Sequence, residues 1–178
     1  SLITQQTAAA SKGAHIAINP AGEAFVFSHT NATPYQISSN AYQTTNNGSS
    51  DFVLTKLSTS GSILYSTYFG GAGAETSYDI CYANGKVYCT GTTASSDLAL
   101  RPRKAPDPSA DCCVFVADDG STCAPRRCFV HGTSGLDNGN AVWYDTRAQR
   151  VLVTGTYGST PSMPYTTLQS GQTTGGFL

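Results

Sequence analysis

The sequence predicts an all-β chain assembled from repeated units of four short strands, and three observations carry that prediction. The segment Ala24-Phe25-Val26-Phe27-Ser28-His29-Thr30 returns as Val87-Tyr88-Cys89-Thr90-Gly91-Thr92-Thr93 and again as Val151-Leu152-Val153-Thr154-Gly155-Thr156-Tyr157, a period of about 60 to 64 residues. A period of that size marks stacked supersecondary units, none of which can bury its apolar faces alone. Apolar residues alternate over short runs, and Gly or Asn interrupts them roughly every ten residues, so no long amphipathic helix is present. The interruptions are turn formers, as in Asn19-Pro20-Ala21-Gly22 and Ala83-Asn84-Gly85.

The elements follow in order. In the first unit, residues 14–18 and 23–30 read as two strands joined at Pro20 and Gly22, where Pro fixes φ and Gly supplies a positive one. Residues 51–57 and 62–69 form a second hairpin around Ser60-Gly61, and the polar connector 31–50 lies between the hairpins. The second unit repeats the order. Residues 78–82 and 86–93 flank an Asn-Gly turn of the kind hairpins favour, and residues 111–117 and 123–131 flank Asp118-Asp119-Gly120-Ser121. Its connector, 94–110, holds Pro102, Pro106 and Pro108, which forbid a central strand and make it an exposed loop. The third unit has strands at 140–144 and 150–157, then a polar connector, and stops at Gly176-Phe177-Leu178 where the next hairpin should begin. The units are therefore 14–71, 72–132 and a partial 133–178, about two and a half in all.

Composition narrows the function. Charged residues make up 12% of the chain, about half the usual share, and Ser, Thr, Asn, Gln, Tyr and 18 Gly fill the deficit. Ten Lys and Arg against eleven Asp and Glu leave a net charge of -1, with no field to gather phosphates or anionic lipid. Nucleic acid and membrane-surface roles lose their basis, and no apolar run approaches the roughly 20 residues of a membrane helix. The chain begins Ser1-Leu2-Ile3-Thr4 without a targeting segment, so either a leader has been removed or this is an internal piece. Six Cys, an even number, and two sequons at Asn31-Ala32-Thr33 and Asn47-Gly48-Ser49 point to an oxidising, extracellular or cell-surface setting.

The segment Asp51-Phe52-Val53-Leu54-Thr55-Lys56-Leu57-Ser58-Thr59-Ser60-Gly61, followed by Tyr65-Ser66-Thr67-Tyr68-Phe69-Gly70-Gly71, closely resembles the signature of the SBBP-type β-propeller repeat. The family's closing Thr-Gly strand is similar to Thr90-Gly91-Thr92-Thr93 and Thr154-Gly155-Thr156, whereas residues 94–132 depart from the pattern through their cysteines. The resemblance implies four-stranded antiparallel β-propeller blades arranged in a ring, in secreted and surface proteins often without known chemistry. Units of this size fit radial stacking around a channel on physical grounds as well. Two and a half blades cannot close a ring, so the expectation is that further blades of the same polypeptide, or other subunits, cover the open faces.

Candidate sites are few. Cys81 and Cys89 flank the Asn84-Gly85 turn and are expected to face each other at disulfide distance. Cys112 and Cys113 point to opposite faces of one strand, and with Cys123 and Cys128 they leave three connectivities open. A zinc site from those four lacks paired Cys-x-x-Cys knuckles and a histidine at ligand spacing. Asn31 and Asn47 are the expected N-glycosylation sites. Asp118-Asp119 and Asp137-Asn138-Gly139-Asn140 could supply oxygen ligands to calcium, but turn formation explains them, as it does Glu75, Asp79 and Asp145. His15, His29 and His131 fall at unrelated positions, and no nucleophile elbow or metalloprotease helix occurs, so neither a catalytic set nor a cofactor is expected. The basic run Arg101 to Lys104, with Arg126-Arg127, reads as a solvated loop, and the ten Tyr suit edges, interfaces and sugar stacking.

The leading expectation is a non-catalytic structural or adhesive module of a secreted, disulfide-linked, glycosylated surface protein, which builds an extracellular filament, coat or matrix. A glycan- or protein-binding propeller is the alternative. A propeller enzyme whose active site lies in blades outside this chain is the third reading.

Overall fold

A computed structural model describes residues 12–100 and 109–159, and the described residues hold ten strands and no helix. The first sheet has the order β1 (Lys12–Ile18), β2 (Ala24–Thr30), β3 (Asp51–Leu57), β4 (Ile63–Phe69). The second repeats it as β5 (Glu75–Ala83), β6 (Lys86–Thr93), β7 (Asp111–Asp118), β8 (Pro125–His131). The third consists, among the described residues, of β9 (Asn138–Asp145) and β10 (Arg150–Thr156). Every pair of neighbouring strands is antiparallel, so each sheet is a simple meander.

Turn chemistry sets the registers. Asn19 organises the β1–β2 turn: its Oδ1 accepts hydrogen bonds from the Ala21 and Glu23 amides at 3.0 and 2.9 Å, and its carbonyl accepts one from Gly22 at 2.9 Å. Between β5 and β6, Asn84 and Gly85 adopt φ values of 50° and 71°, the two-residue turn whose twist matches the flanking strands. That turn pairs Ala83 with Lys86 and fixes every pair above it.

Four strands start two or three residues from their expected positions, β1 at Lys12 and β9 at Asn138 among them, and for the other two the cause is local. β5 starts three residues before Tyr78, because Glu75 pairs with Thr93 and its amide donates to the Ser50 carbonyl at 2.8 Å, tying the second sheet to the first. β8 starts at Pro125, since the register slips between Val116 and Ala117 and Cys123 takes φ 39°. Cys123 therefore sits in the turn, its thiol donating to the Gly120 carbonyl at 3.3 Å.

The sheets stack face to face, with β1 beside β5 and β5 beside β9. The period-2 alternation of each strand decides which residues meet at each junction. Phe25, Phe27, Phe52, Leu54, Tyr65 and Phe69 project from the first sheet onto Val87, Cys89, Cys113 and Phe115 of the second. A smaller cluster of Cys81, Ala83, Tyr88 and Val142 joins the second sheet to the third. The connector 31–50 is more than a loop between hairpins. It wraps the β4 edge: the Ser38 amide donates to the Ser66 carbonyl at 3.0 Å, the Tyr68 amide to Gln43 at 3.1 Å, and the Tyr68 hydroxyl to Ala32 at 2.8 Å. The edge strand is thereby shielded from pairing with another chain. The basic and proline-rich stretch 101–108, with Arg101 and Lys104, lies outside the described residues.

Candidate functional site

The junctions between sheets concentrate the chain's buried polar chemistry. At the first, Asp51 opens β3 and Glu75 opens β5, and both are fully buried. They converge on Gly70, where an added Cβ would lie within 2.5 Å of both Asp51 Oδ1 and Glu75 Oε2. The second junction reproduces the arrangement with Asp111, Gly132 and Asp137. A backbone link repeats as well, since the Glu75 amide donates to Ser50 at 2.8 Å and the Asp137 amide to Ala110 at 3.0 Å.

The outer oxygens of the first pair are well served. Asp51 Oδ2 accepts from the Asn47 amide at 3.0 Å and from the Gln43 side chain. Glu75 Oε1 accepts from the Thr93 and Ser95 hydroxyls at 2.7 and 2.6 Å. The inner oxygens face each other. Asp51 Oδ1 has no donor from the protein, and the two carboxyl groups are within hydrogen-bonding reach. Burial pushes both acids above the ordinary carboxyl range, against the donors that favour the charged form. A proton shared between the inner oxygens would supply the missing hydrogen bond and remove one of two like charges.

At the opposite end of the strands lies an ionic knot. Lys56, at the end of β3, meets Glu23 at 2.8 Å and Asp119 at 2.6 Å, and its ammonium sits 5.4 Å from the centre of the Phe25 ring. Asn19 Nδ2 donates to Glu23 at 2.8 Å and to Asp119 at 2.9 Å, while the Tyr82 hydroxyl donates to Asp119 at 2.9 Å. Burial works against the charge of both Asp119 and Lys56. The hydrogen bonds outweigh it, so Asp119 lies below its usual range and Lys56 above. Asp118 instead pairs with Lys86 and Arg126, each at 2.7 Å. The oxygens considered for calcium at Asp118-Asp119 thus face ammonium and guanidinium groups. Asp137 caps a turn, accepting from the Thr133 amide at 2.6 Å and from the Gly158 amide at 3.2 Å.

The expected bridge between Cys81 and Cys89 is overturned by the register. The turn is centred between Asn84 and Gly85, so Cys81 lies opposite Tyr88 and Cys89 opposite Ile80. An offset of one residue puts the two side chains on opposite faces. Cys89 enters the core of the first junction and Cys81 the cluster of the second. Cys112 and Cys113 also face opposite ways: Cys113 joins the first core, while Cys112 Sγ lies against Gly139 of β9. Cys113 and Cys128 bring their sulfurs to 3.2 Å. All six thiols are buried, and burial lifts Cys81 to about 11 and Cys112 and Cys123 to about 12, far from a reactive thiolate. Among the described residues no three His, Cys, Asp or Glu side chains converge in a metal-binding group.

Asn31 and Asn47 are both exposed on the connector that wraps the first sheet. His29 is buried, its Nδ1 accepting from the Ser77 amide at 3.0 Å across the first junction. Large apolar residues lie bare at both ends of the stack: Ile16 and Ile18 of β1 are each 62% exposed, and Trp143 of β9 is 67% exposed. Among the described residues no helix is long and apolar enough to cross a membrane. No protein-family model matches the chain, and no curated protein matches it.

Sequence reasoning singled out the cysteines and sequons and missed the paired acids. The signal for them was periodic: Asp51 and Asp111, Gly70 and Gly132, Glu75 and Asp137 recur in step with the strands.

Proposed function

We propose that the stacked sheets are blades of a β-propeller, of the SBBP type the sequence resembles, and that the chain is a non-catalytic structural or adhesive module of a secreted surface protein. In this reading it builds an extracellular filament, coat or matrix, with glycans at Asn31 and Asn47. The observation that carries the reading is the repeated junction: two four-stranded meanders and a further hairpin stacked with their first strands side by side, joined each time by an acid, a glycine and a second acid. The chain's charged groups support it, because they are engaged in joining sheets: Asp51 and Glu75 converge on Gly70, and Lys56 pairs with Asp119. The bare apolar ends support partners in the form of further blades or other subunits, since a monomeric surface seldom leaves such side chains together without use.

Sedimentation velocity on the full chain tests the assembly reading: association that grows with concentration is expected, and a stable, folded monomer at all concentrations contradicts it. Intact mass of protein from its native source tests the extracellular reading. Glycan mass on Asn31 and Asn47 is expected, and unmodified asparagines contradict it. Selective binding on a glycan array, without self-association, would transfer the chain to the class of ligand-binding propellers.

A further inference from the structure

We infer that Cys113 and Cys128 form the one disulfide of the second sheet, and that Cys112 and Cys123 remain thiols although the even cysteine count points to two bridges. The registers carry the argument. Cys113 lies opposite Val130 and Cys128 opposite Phe115, so the two are diagonal neighbours on one face of the β7–β8 hairpin. Their sulfurs are already 3.2 Å apart, and closing to a bond of about 2.05 Å needs side-chain rotation of about 1 Å.

The remaining connectivities fail on distance or facing. Cys112 sits opposite His131 at the start of β7, whereas Cys123 lies past Ala117 and Pro125 at the far end of the hairpin. At about 3.3 Å per residue, the five steps from 112 to 117 already separate Cys112 from Cys123 by roughly 16 Å, beyond the roughly 7 Å limit for a bridge. The same count sets Cys113 roughly 13 Å from Cys123. Cys112 points to the opposite face from Cys113 and Cys128, towards Gly139 of the third sheet.

The oxidant is a low-molecular-weight disulfide of the glutathione class. One cysteine thiolate attacks its S–S bond, expelling one glutathione thiolate and leaving a mixed disulfide. The second cysteine thiolate then attacks the protein-bound sulfur and expels the other glutathione. Two protein thiols are oxidised, one small disulfide is reduced to two thiols, and the two protons pass to the departing sulfurs. Both cysteines are buried in the folded sheet, so exchange takes place while the hairpin is open and the finished bond is shielded from reductant. The bond deepens the extracellular reading, which supplies the oxidant, yet it is tested in vitro apart from the glycans that test that reading.

The experiment folds the full chain in reduced and oxidised glutathione, then unfolds it in guanidinium with iodoacetamide. The expected product carries four alkyl groups and has lost two hydrogens. Trypsin then yields residues 105–126 joined to residues 128–147. Cys112→Ser and Cys123→Ser keep that link, and Cys113→Ser abolishes it. Alkylation of all six cysteines, or a link that survives Cys113→Ser, overturns the inference.

Discussion

The two junctions share a plan and differ in filling. At the first, Phe27, Phe52, Phe69 and Phe115 meet with ring centroids 5.0 to 6.4 Å apart, and Phe25 stacks on Tyr82 at 5.7 Å. At the second, among the described residues, only Tyr88 and Tyr144 stack, at 5.2 Å, beside Cys81, Ala83 and Val142. Strand registers align the positions. Phe27 opposite Leu54 becomes Thr90 opposite Val114, and Phe52 opposite Phe69 becomes Cys112 opposite His131. The Asp, Gly and acid are kept at both junctions while the apolar filling shrinks. Geometry is thus carried by the repeated acids and glycine, and stability by the phenylalanine cluster that, among the described residues, the second junction lacks. The third sheet shows two described strands, and Phe129 of β8, on the face directed towards it, stays 39% exposed.

The sharpest way to break this contrast is to remove one side chain from each junction. Phe52→Ala is expected to cost about 3 to 5 kcal/mol in urea unfolding, as for a fully buried aromatic. Val142→Ala is expected to cost about 1 to 2 kcal/mol, from the apolar groups removed. Equal losses would show that the junctions carry the same load. Next in size is Gly70→Ala, whose Cβ collides with both carboxyl groups. A loss of about 1 to 3 kcal/mol is expected from the overpacking, and chemical denaturation showing no loss would mean that Asp51 and Glu75 are free to move apart.

The smallest effect concerns pH. Asp51 and Glu75 are raised, so the folded state binds their protons more tightly than the unfolded chain does. Their contribution is complete below the unfolded values near about 4 and is lost as pH rises through the folded ones. Asp118 and Asp119 are lowered, so theirs is present above about 4 and lost as pH falls through their folded values. Stability should therefore peak in mildly acidic solution. In Asp51→Asn the amide nitrogen takes the place of the shared proton towards Glu75, and the amide oxygen still accepts from Asn47 and Gln43. The decline in urea midpoint as pH rises above about 4 should shrink in this variant, and an unchanged decline would contradict a shared proton.

How much of this was legible in the sequence follows from the range of the interactions. Short-range signals read well: β3 and β6 run where the alternation and the Asn84-Gly85 turn placed them. The pairing of Cys81 with Cys89 failed because a one-residue misplacement of the turn centre reverses the face of a side chain. The acids were hidden for another reason. Asp51 and Glu75 belong to different sheets, and each alone reads as a residue beside a turn. Only their recurrence as Asp111 and Asp137 shows that they form a set. The wrapping of β4 by residues 31–50 had no periodic pattern to announce it, since it rests on two backbone hydrogen bonds and on scattered side-chain bonds such as Ser38 Oγ to Ser66 and the Tyr68 hydroxyl to Ala32.

The central claim is that the ends of the stack are surfaces made to be covered, and the chain carries its own reporter. Its single tryptophan, Trp143, stands on the exposed face of β9. The measurement is tryptophan emission followed across protein concentration alongside sedimentation. The account predicts a shift to shorter wavelength in step with association, as Trp143 leaves water. Emission that stays at the solvent-exposed wavelength while the chain remains a folded monomer would contradict it.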